Sequence, residues 1–154
     1  MNAEIARLFV QAGTEALEAV AAPADISGGL EAAAADGATT EEVSLVLALS
    51  GALTGAAVYG MSEETANGLA SRLLDRSADI IQDSARGVLR DFARGLALRL
   101  AELLSQAGHI CEVAAPQLTL ATGVKTAPGC EGLAIPISTA VGPVRVTVAF
   151  RAAS

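Results

Sequence analysis

Apolar residues recur at helical spacing from Asn2 to Val20, at Ile5, Leu8, Phe9, Ala12, Ala16 and Leu17, which predicts a first helix ending before Ala22-Pro23. From Gly28 to Thr40 the chain is rich in Ala and Gly and has little periodicity, so this stretch allows only one poorly marked strand. Val43 to Leu49 and Leu53 to Gly60 read as two strands joined by a tight turn. Ser62 then reads as an N-cap with Glu63 and Glu64 in the first turn, where the helix dipole favours negative charge, and a second helix runs to about Asp75. A long helix from roughly Ser77 to Gln106 follows, closed by Gly108. Three strands complete the pattern, near Ile110 to Ala121, Gly132 to Thr139 and Pro143 to Ala152. In the last, Val144, Val146, Val148 and Phe150 alternate with Arg145, Thr147, Ala149 and Arg151, predicting one buried and one wet face.

The order is helix, three strands, helix, helix, three strands, so the two halves match in architecture. This predicts a single α+β domain over residues 1–154 with pseudo-twofold symmetry. An antiparallel six-stranded sheet would carry the helices packed on one face, leaving its other face or an edge free for self-association.

The long helix has two unlike sides. Ile81, Ala85, Val88, Leu89, Phe92, Leu96, Leu100, Leu103 and Leu104 fall on one side and are expected to face the core. Asp83, Arg86, Gly87, Arg90, Asp91, Arg94 and Leu98 fall on the other. Glycine inside a helix costs about 1 kcal/mol relative to alanine, so Gly87 on the outward stripe hints that another molecule or backbone comes close there. Candidate partner-binding residues are therefore Asp83, Gly87, Arg90, Asp91, Arg94 and Leu98.

Composition narrows the function classes. The 154 residues are 52% hydrophobic, enough for a substantial core, and the net charge of -7 argues against a nucleic-acid backbone as partner. Cys111 and Cys130 lack the paired spacing of a zinc site and read as reduced thiols. No phosphate-binding glycine loop or His-Glu-x-x-His sequence occurs, and His109 has no nearby Ser or Cys arrangement of nucleophile and base. Val43 to Met61 carries no charge, but Ser50-Gly51 and Thr54-Gly55 interrupt it, so strands explain it better than a membrane span. The N-terminus lacks the basic and apolar blocks of a secretory signal, and a cytoplasmic location is expected.

The element order, the helix start Ser62-Glu63-Glu64-Thr65-Ala66, the acid three residues before a polar residue at Asp91 and Arg94, and Pro116 beyond the helix together resemble the CheC/CheX family of chemotaxis phosphatases. The resemblance is closest to CheX and covers nearly the whole chain, including Val43 to Ala66, Ile135-Pro136 and Gly142-Pro143. It implies docking to a CheY-type receiver domain, removal of phosphate from its aspartyl phosphate, and a homodimer. It implies no cofactor in this chain, with Mg2+ expected only in the partner receiver.

In this family a Glu and an Asn spaced three apart on the long helix do the chemistry. The Asn amide holds the attacking water in line with phosphorus, and the Glu pairs with the receiver's lysine. Here Asp91 stands at the Glu position and Arg94 at the Asn position. Aspartate keeps the charge one methylene shorter, whereas arginine has only donors. Asp91 and Arg94 are the catalytic candidates; a register shifted by one turn, with Val88 and Asp91 at the two positions, requires a three-residue insertion before Pro116. Three roles remain open for the pair: an ordinary intrahelical ion pair, an arginine finger on the phosphoryl group, or a contact in a catalytically silent receiver-binding or scaffolding module.

Overall fold

A computed structural model of the chain describes residues 3–26, 28, 31–32, 41–120 and 132–152. Helix α1 (Ala3–Ala21) leads into two short strands, β1 (Asp25–Ile26) and β2 (Glu31–Ala32), and then into the long pair β3 (Val43–Gly51) and β4 (Leu53–Met61). Helices α2 (Glu63–Leu74) and α3 (Asp83–Gln106) follow. The short strands β5 (Cys111–Val113) and β6 (Gln117–Thr119) precede the closing hairpin of β7 (Gly132–Thr139) and β8 (Gly142–Ala152).

All strands join one antiparallel sheet in the order β1-β7-β8-β4-β3-β5, with β2 also on the β7 edge and β6 also on the β3 edge. Eight segments therefore occupy six positions, as the strand count from the sequence requires. The order is palindromic about the β8–β4 pairing. It exchanges α1-β1-β2-β3-β4 with α3-β5-β6-β7-β8, leaving α2 as the link between halves. Each half sends its short strands to the edge of the other half, and β4 and β8 pair from Leu53↔Ala152 to Met61↔Val144.

Three local departures from the expected elements have physical causes. The region read as one strand from Ile110 is two, because Ala114, Ala115 and Pro116 break it, and proline has no N–H for the ladder; Ala121 lies outside the described residues. The poorly marked strand expected within Gly28 to Thr40 is β2 alone, preceded by β1 at Asp25–Ile26, and residues 33–40 lie outside the described residues. Only part of the outward row of β8 is wet: Arg145 keeps 42% of its side chain exposed, whereas Thr147 and Ala149 are buried, as are Ala134 and Val58 on the adjoining strands. Alternation tells which residues share a face and not whether that face meets water.

Helix α3 begins at Asp83 and not at Ser77, because residues 77–82 spend their polar groups elsewhere. Ile80 N–H donates to Asn67 Oδ1 at 2.7 Å, Ala78 N–H to Ser71 Oγ at 2.9 Å, and Ile81 N–H to Asp79 Oδ1 at 3.0 Å. The far end matches expectation. Gly108 takes φ 90°, and His109 N–H reaches Leu104 O at 2.8 Å, closing the helix in a Schellman turn. Ser62 caps α2 as expected, its Oγ accepting from Thr65 N–H at 3.1 Å.

The core lies between the sheet and the helices. Leu45, Leu47, Leu53, Tyr59, Met61, Val144, Val146 and Val148 line the sheet, and Phe9, Leu17, Leu69, Leu89, Leu96, Leu100 and Leu104 meet them from α1, α2 and α3. Phe9 stacks on Phe150 with centroids 5.6 Å apart. Tyr59, fully buried, donates its hydroxyl to Phe9 O at 2.8 Å, and its ring fills the notch left by Gly13. Burial pushes the Tyr59 phenol well above its ordinary range, so it stays a neutral donor. A Cβ at Gly13 would lie 2.7 Å from Tyr59 Cε1.

Helices α1 and α3 are also tied at the surface. Arg99 of α3 reaches Glu15 of α1 at 2.8 Å and Glu102 at 3.0 Å. The bond from Arg99, with help from Gln11, holds the Glu15 carboxyl below its ordinary range.

Two outcomes follow for stability. Gly13→Ala should lower the thermal midpoint by several degrees, because overpacking against Tyr59 costs about 1–3 kcal/mol while the helix-propensity gain is about 1 kcal/mol; a raised midpoint would contradict this packing. A carboxyl lowered in the folded state stabilises the fold above its unfolded pKa of about 4.3, and this is lost as pH falls through the lower folded value. The stability difference between the native chain and Glu15→Gln, followed by thermal denaturation, should therefore be constant near neutral pH and shrink on acidification below about pH 4. A difference that grows on acidification would contradict the Arg99 contact as its source.

Candidate functional site

Burial of α3 on the sheet decides which of its side chains face outward. Ala85, Leu89, Ala93, Leu96, Leu100 and Leu104 are buried, with Val88 and Phe92 half-buried beside them. Ala93 joins this stripe although the sequence pattern passed over it. Ile81, expected in the core, is 75% exposed because the chain has left the helical path before Asp83.

The candidate residues separate into a crest and a flank. Arg90, Asp91, Arg94 and Leu98 are exposed along successive turns, with Leu98 at 75%. Asp91 and Arg94 are brought together as the spacing requires: Arg94 Nη1 donates to Asp91 Oδ1 at 2.5 Å, with side chains 70% and 65% exposed for Asp91 and Arg94. A pair this exposed contributes only about 0.2–0.5 kcal/mol to the helix, so it is easily rearranged. Arg90 makes no ion pair among the described residues.

Asp83 and Arg86 belong to a different arrangement. Arg86 turns back toward the start of the helix, donating to Ile80 O at 3.1 Å and Ile81 O at 3.0 Å and pairing with Asp83. This fixes the turn before α3 and holds Ile81 outward. Asp83 and Arg86 are thus joined to each other and stand apart from the Asp91–Arg94 pair.

The crest stands between two grooves. On one side a groove of about 420 Å³ runs against α1, with Asp91, Phe92 and Gly95 on the α3 wall, Ala16 and Val20 on the α1 wall, and Arg99 at its end. On the other side a groove of about 330 Å³ lies between Arg94, Leu98 and Ala101 and the segment from Val113 to Pro116. Asp91 and Arg94 therefore open onto opposite grooves. Pro116, distant in sequence, lies beside Arg94. Gly95, which the sequence reading missed, lies one turn after Asp91 on the same stripe as Gly87, and a Cβ at either glycine would meet nothing within 4 Å. Their absence of side chains is not demanded by packing within the described residues. The i+4 spacing from Asp91 was the available signal for Gly95.

The chemistry on offer is charged and hydrogen-bonding. Among the described residues no group of His, Cys, Asp and Glu is arranged to hold a metal ion, and no helix is long and apolar enough to cross a membrane. Cys111 is a free thiol, and Cys130 lies outside the described residues. His109 follows the Gly108 turn, more than three helical turns along the chain from Arg94. A larger depression of about 540 Å³, between α1 and the β1–β7 edge, has Arg7, Gln11, Thr14 and Glu15 at its rim with Val10, Ile26 and Ile135 inside, and among the described residues holds no arrangement of nucleophile and base.

The sequence matches no protein-family model and no curated protein. Solved structures do match. A CheX chemotaxis protein from Desulfovibrio desulfuricans superposes with a TM-score of 0.83 at 22% identity, covering 96% of this chain and 99% of that one. A CheC-like superfamily protein from Shewanella sp. PV-4 gives 0.84 at 15% identity, covering 98% and 99%. CheX of Borrelia burgdorferi, solved in a complex with CheY, BeF3 and Mg2+, gives 0.75 at 22% identity, covering 94% and 96%. The helices on one side of a palindromic antiparallel sheet thus give this chain the fold of the CheX and CheC-like chemotaxis proteins.

Proposed function

We propose that this chain is a CheX-like signalling protein whose α3 crest docks the receiver domain of a CheY-type response regulator. The observation that carries the proposal is the exposed Asp91–Arg94 pair, raised between two grooves on the helix where the resemblance puts the receiver-contact residues. The Borrelia CheX of the same fold, solved with CheY, supports the choice of partner. A receiver domain suits this crest in charge: its acidic pocket, Mg2+ and phosphoryl group would meet Arg90 and Arg94, and its lysine would meet Asp91.

Arg94 bears directly on the enzymatic reading. Hydrolysis by the family route needs an acceptor that orients water, and a guanidinium has five donors and none. The reading best supported is therefore a receiver-binding module, with aspartyl-phosphate phosphatase activity through Asp91 and Arg94 as the alternative. Leu98 and the groove walls would supply the apolar part of the contact, and the glycines at 87 and 95 would let the receiver approach the helix backbone.

Binding to the beryllofluoride-loaded, Mg2+-bound CheY-type receiver encoded by the same genome, measured by interferometry, tests this. Asp91→Lys and Leu98→Asp should each weaken Kd by about 10-fold or more, equal to about 1.4 kcal/mol, with the fold intact by circular dichroism. Binding unaffected by either substitution would overturn the assignment to this face. A phosphate-release assay on the same pair separates the two readings: release above the receiver's own rate favours the phosphatase. Gly87→Ala with Gly95→Ala should raise the thermal midpoint, each contributing up to about 1 kcal/mol of helix propensity, and at the same time weaken receiver binding. A midpoint that rises with no change in binding would show that no partner uses the space above these glycines.

A further inference from the structure

We propose that Arg94 caps the phosphoryl group of the docked receiver and lengthens its lifetime, so that the chain preserves the phosphorylated state instead of ending it. This rests on the docking reading above and specifies what the crest does once engaged.

The inference follows from the donors and acceptors on the crest. Hydrolysis of an aspartyl phosphate forms a bond from a water oxygen to phosphorus as the bond from phosphorus to the carboxylate oxygen breaks. The carboxylate leaves with the bonding pair, and the water gives up a proton. A residue that promotes this step accepts a hydrogen bond from the water, so that a lone pair is aimed at phosphorus. Arg94 cannot do so. A guanidinium bonded to the water would draw on its electron density and take no proton from it, and one bonded to the phosphoryl oxygens would stand where the water must enter.

Of the other exposed crest side chains, Asp91 alone is an acceptor. Arg90 is a second cation and Leu98 is apolar, while Gly87 and Gly95 bring no side chain. The Asp91 Oδ1 accepts from Arg94 Nη1 at 2.5 Å, and its charge is the one assigned above to the receiver's lysine, which leaves it to hold the docked receiver. With Nη1 bonded to Asp91 and the side chain 65% exposed, Arg94 keeps further guanidinium donors of the kind that bind phosphoryl oxygens in a planar fork. Gly95 beside it has open space where a side chain would stand.

Electrostatics point the same way. The phosphoryl group carries its negative charge before attack and in a loose transition state alike, so a cation that meets it in both binds both and leaves the barrier unchanged. An arginine accelerates phosphoryl transfer in company with a group that positions the water. With that group absent, the exclusion of water remains, and it slows the loss of phosphate.

The test follows decay of the phosphorylated receiver with Mg2+ at saturating amounts of this chain, while fluorescence anisotropy of a labelled receiver reports binding in the same tubes. The half-life should lengthen several-fold with the native chain. With Arg94→Ala it should return to that of the free receiver at concentrations where the anisotropy still reports complex. Arg94→Asn, which restores an acceptor, should bring the half-life below that with the native chain. Complex formation with an unchanged or shortened half-life for the native chain would overturn the capping role and leave docking intact. Absence of any complex would overturn docking and capping together.

Discussion

The burial of one side of α3 on the sheet is the constraint on which the rest of the structure depends. Leu89, Ala93, Leu96, Leu100 and Leu104 fix the rotation of the helix about its axis, and that rotation alone sends Arg90, Asp91, Arg94 and Leu98 to the surface. The grooves on either side are equally consequences of packing. Tyr59 locks α1 against the sheet through the Phe9 carbonyl and the Gly13 notch, and Arg99 ties α1 to α3 through Glu15. The segment from Val113 to Pro116 makes the other wall because β5 and β6 pair with β3 on both sides of the proline. A shift of α3 by one residue would rotate the crest by about 100° and bury its charges.

The palindromic sheet explains how a chain of modest length supports such a frame. Each half gives its short strands to the other, so neither half completes its sheet alone. The central pairing of β4 with β8 joins the halves, with α1 against β7 and β8, α3 against β3, β5 and β6, and only α2 outside the repeat. Short edge strands leave little open ladder for unwanted pairing, and Pro116 interrupts one of the two edges.

Much of this was legible in the residues, and the failures are informative. Helical periodicity located the apolar stripe of α3 and its exposed Asp91 and Arg94, because a long amphipathic helix repeats its signal over many turns. Its beginning was misread at Ser77, since the polar contacts of Asn67, Ser71 and Asp79 that hold residues 77–82 outside the helix are tertiary or depend on one turn. Arg86 could not be told from Arg90 by spacing, yet it folds back on the Ile80 and Ile81 carbonyls while Arg90 stays outward. The second face of β8 carries Thr147 and Ala149, whose size and polarity suit either a wet or a covered surface. The grooves were invisible, because their walls come from segments far apart in the chain.

A shared fold does not dictate shared chemistry, and here one side chain carries the distinction between hydrolysis and retention of phosphate. The central claim is that the receiver engages the α3 crest, and backbone and methyl resonances of this chain test it most directly. On addition of the beryllofluoride-loaded receiver, the amide signals of Gly87 and Gly95 and the methyl signals of Leu98 should shift together, with those of the β1–β7 edge unchanged. Complex formation with shifts confined to a sheet edge, and none at Gly87, Gly95 or Leu98, would contradict the account.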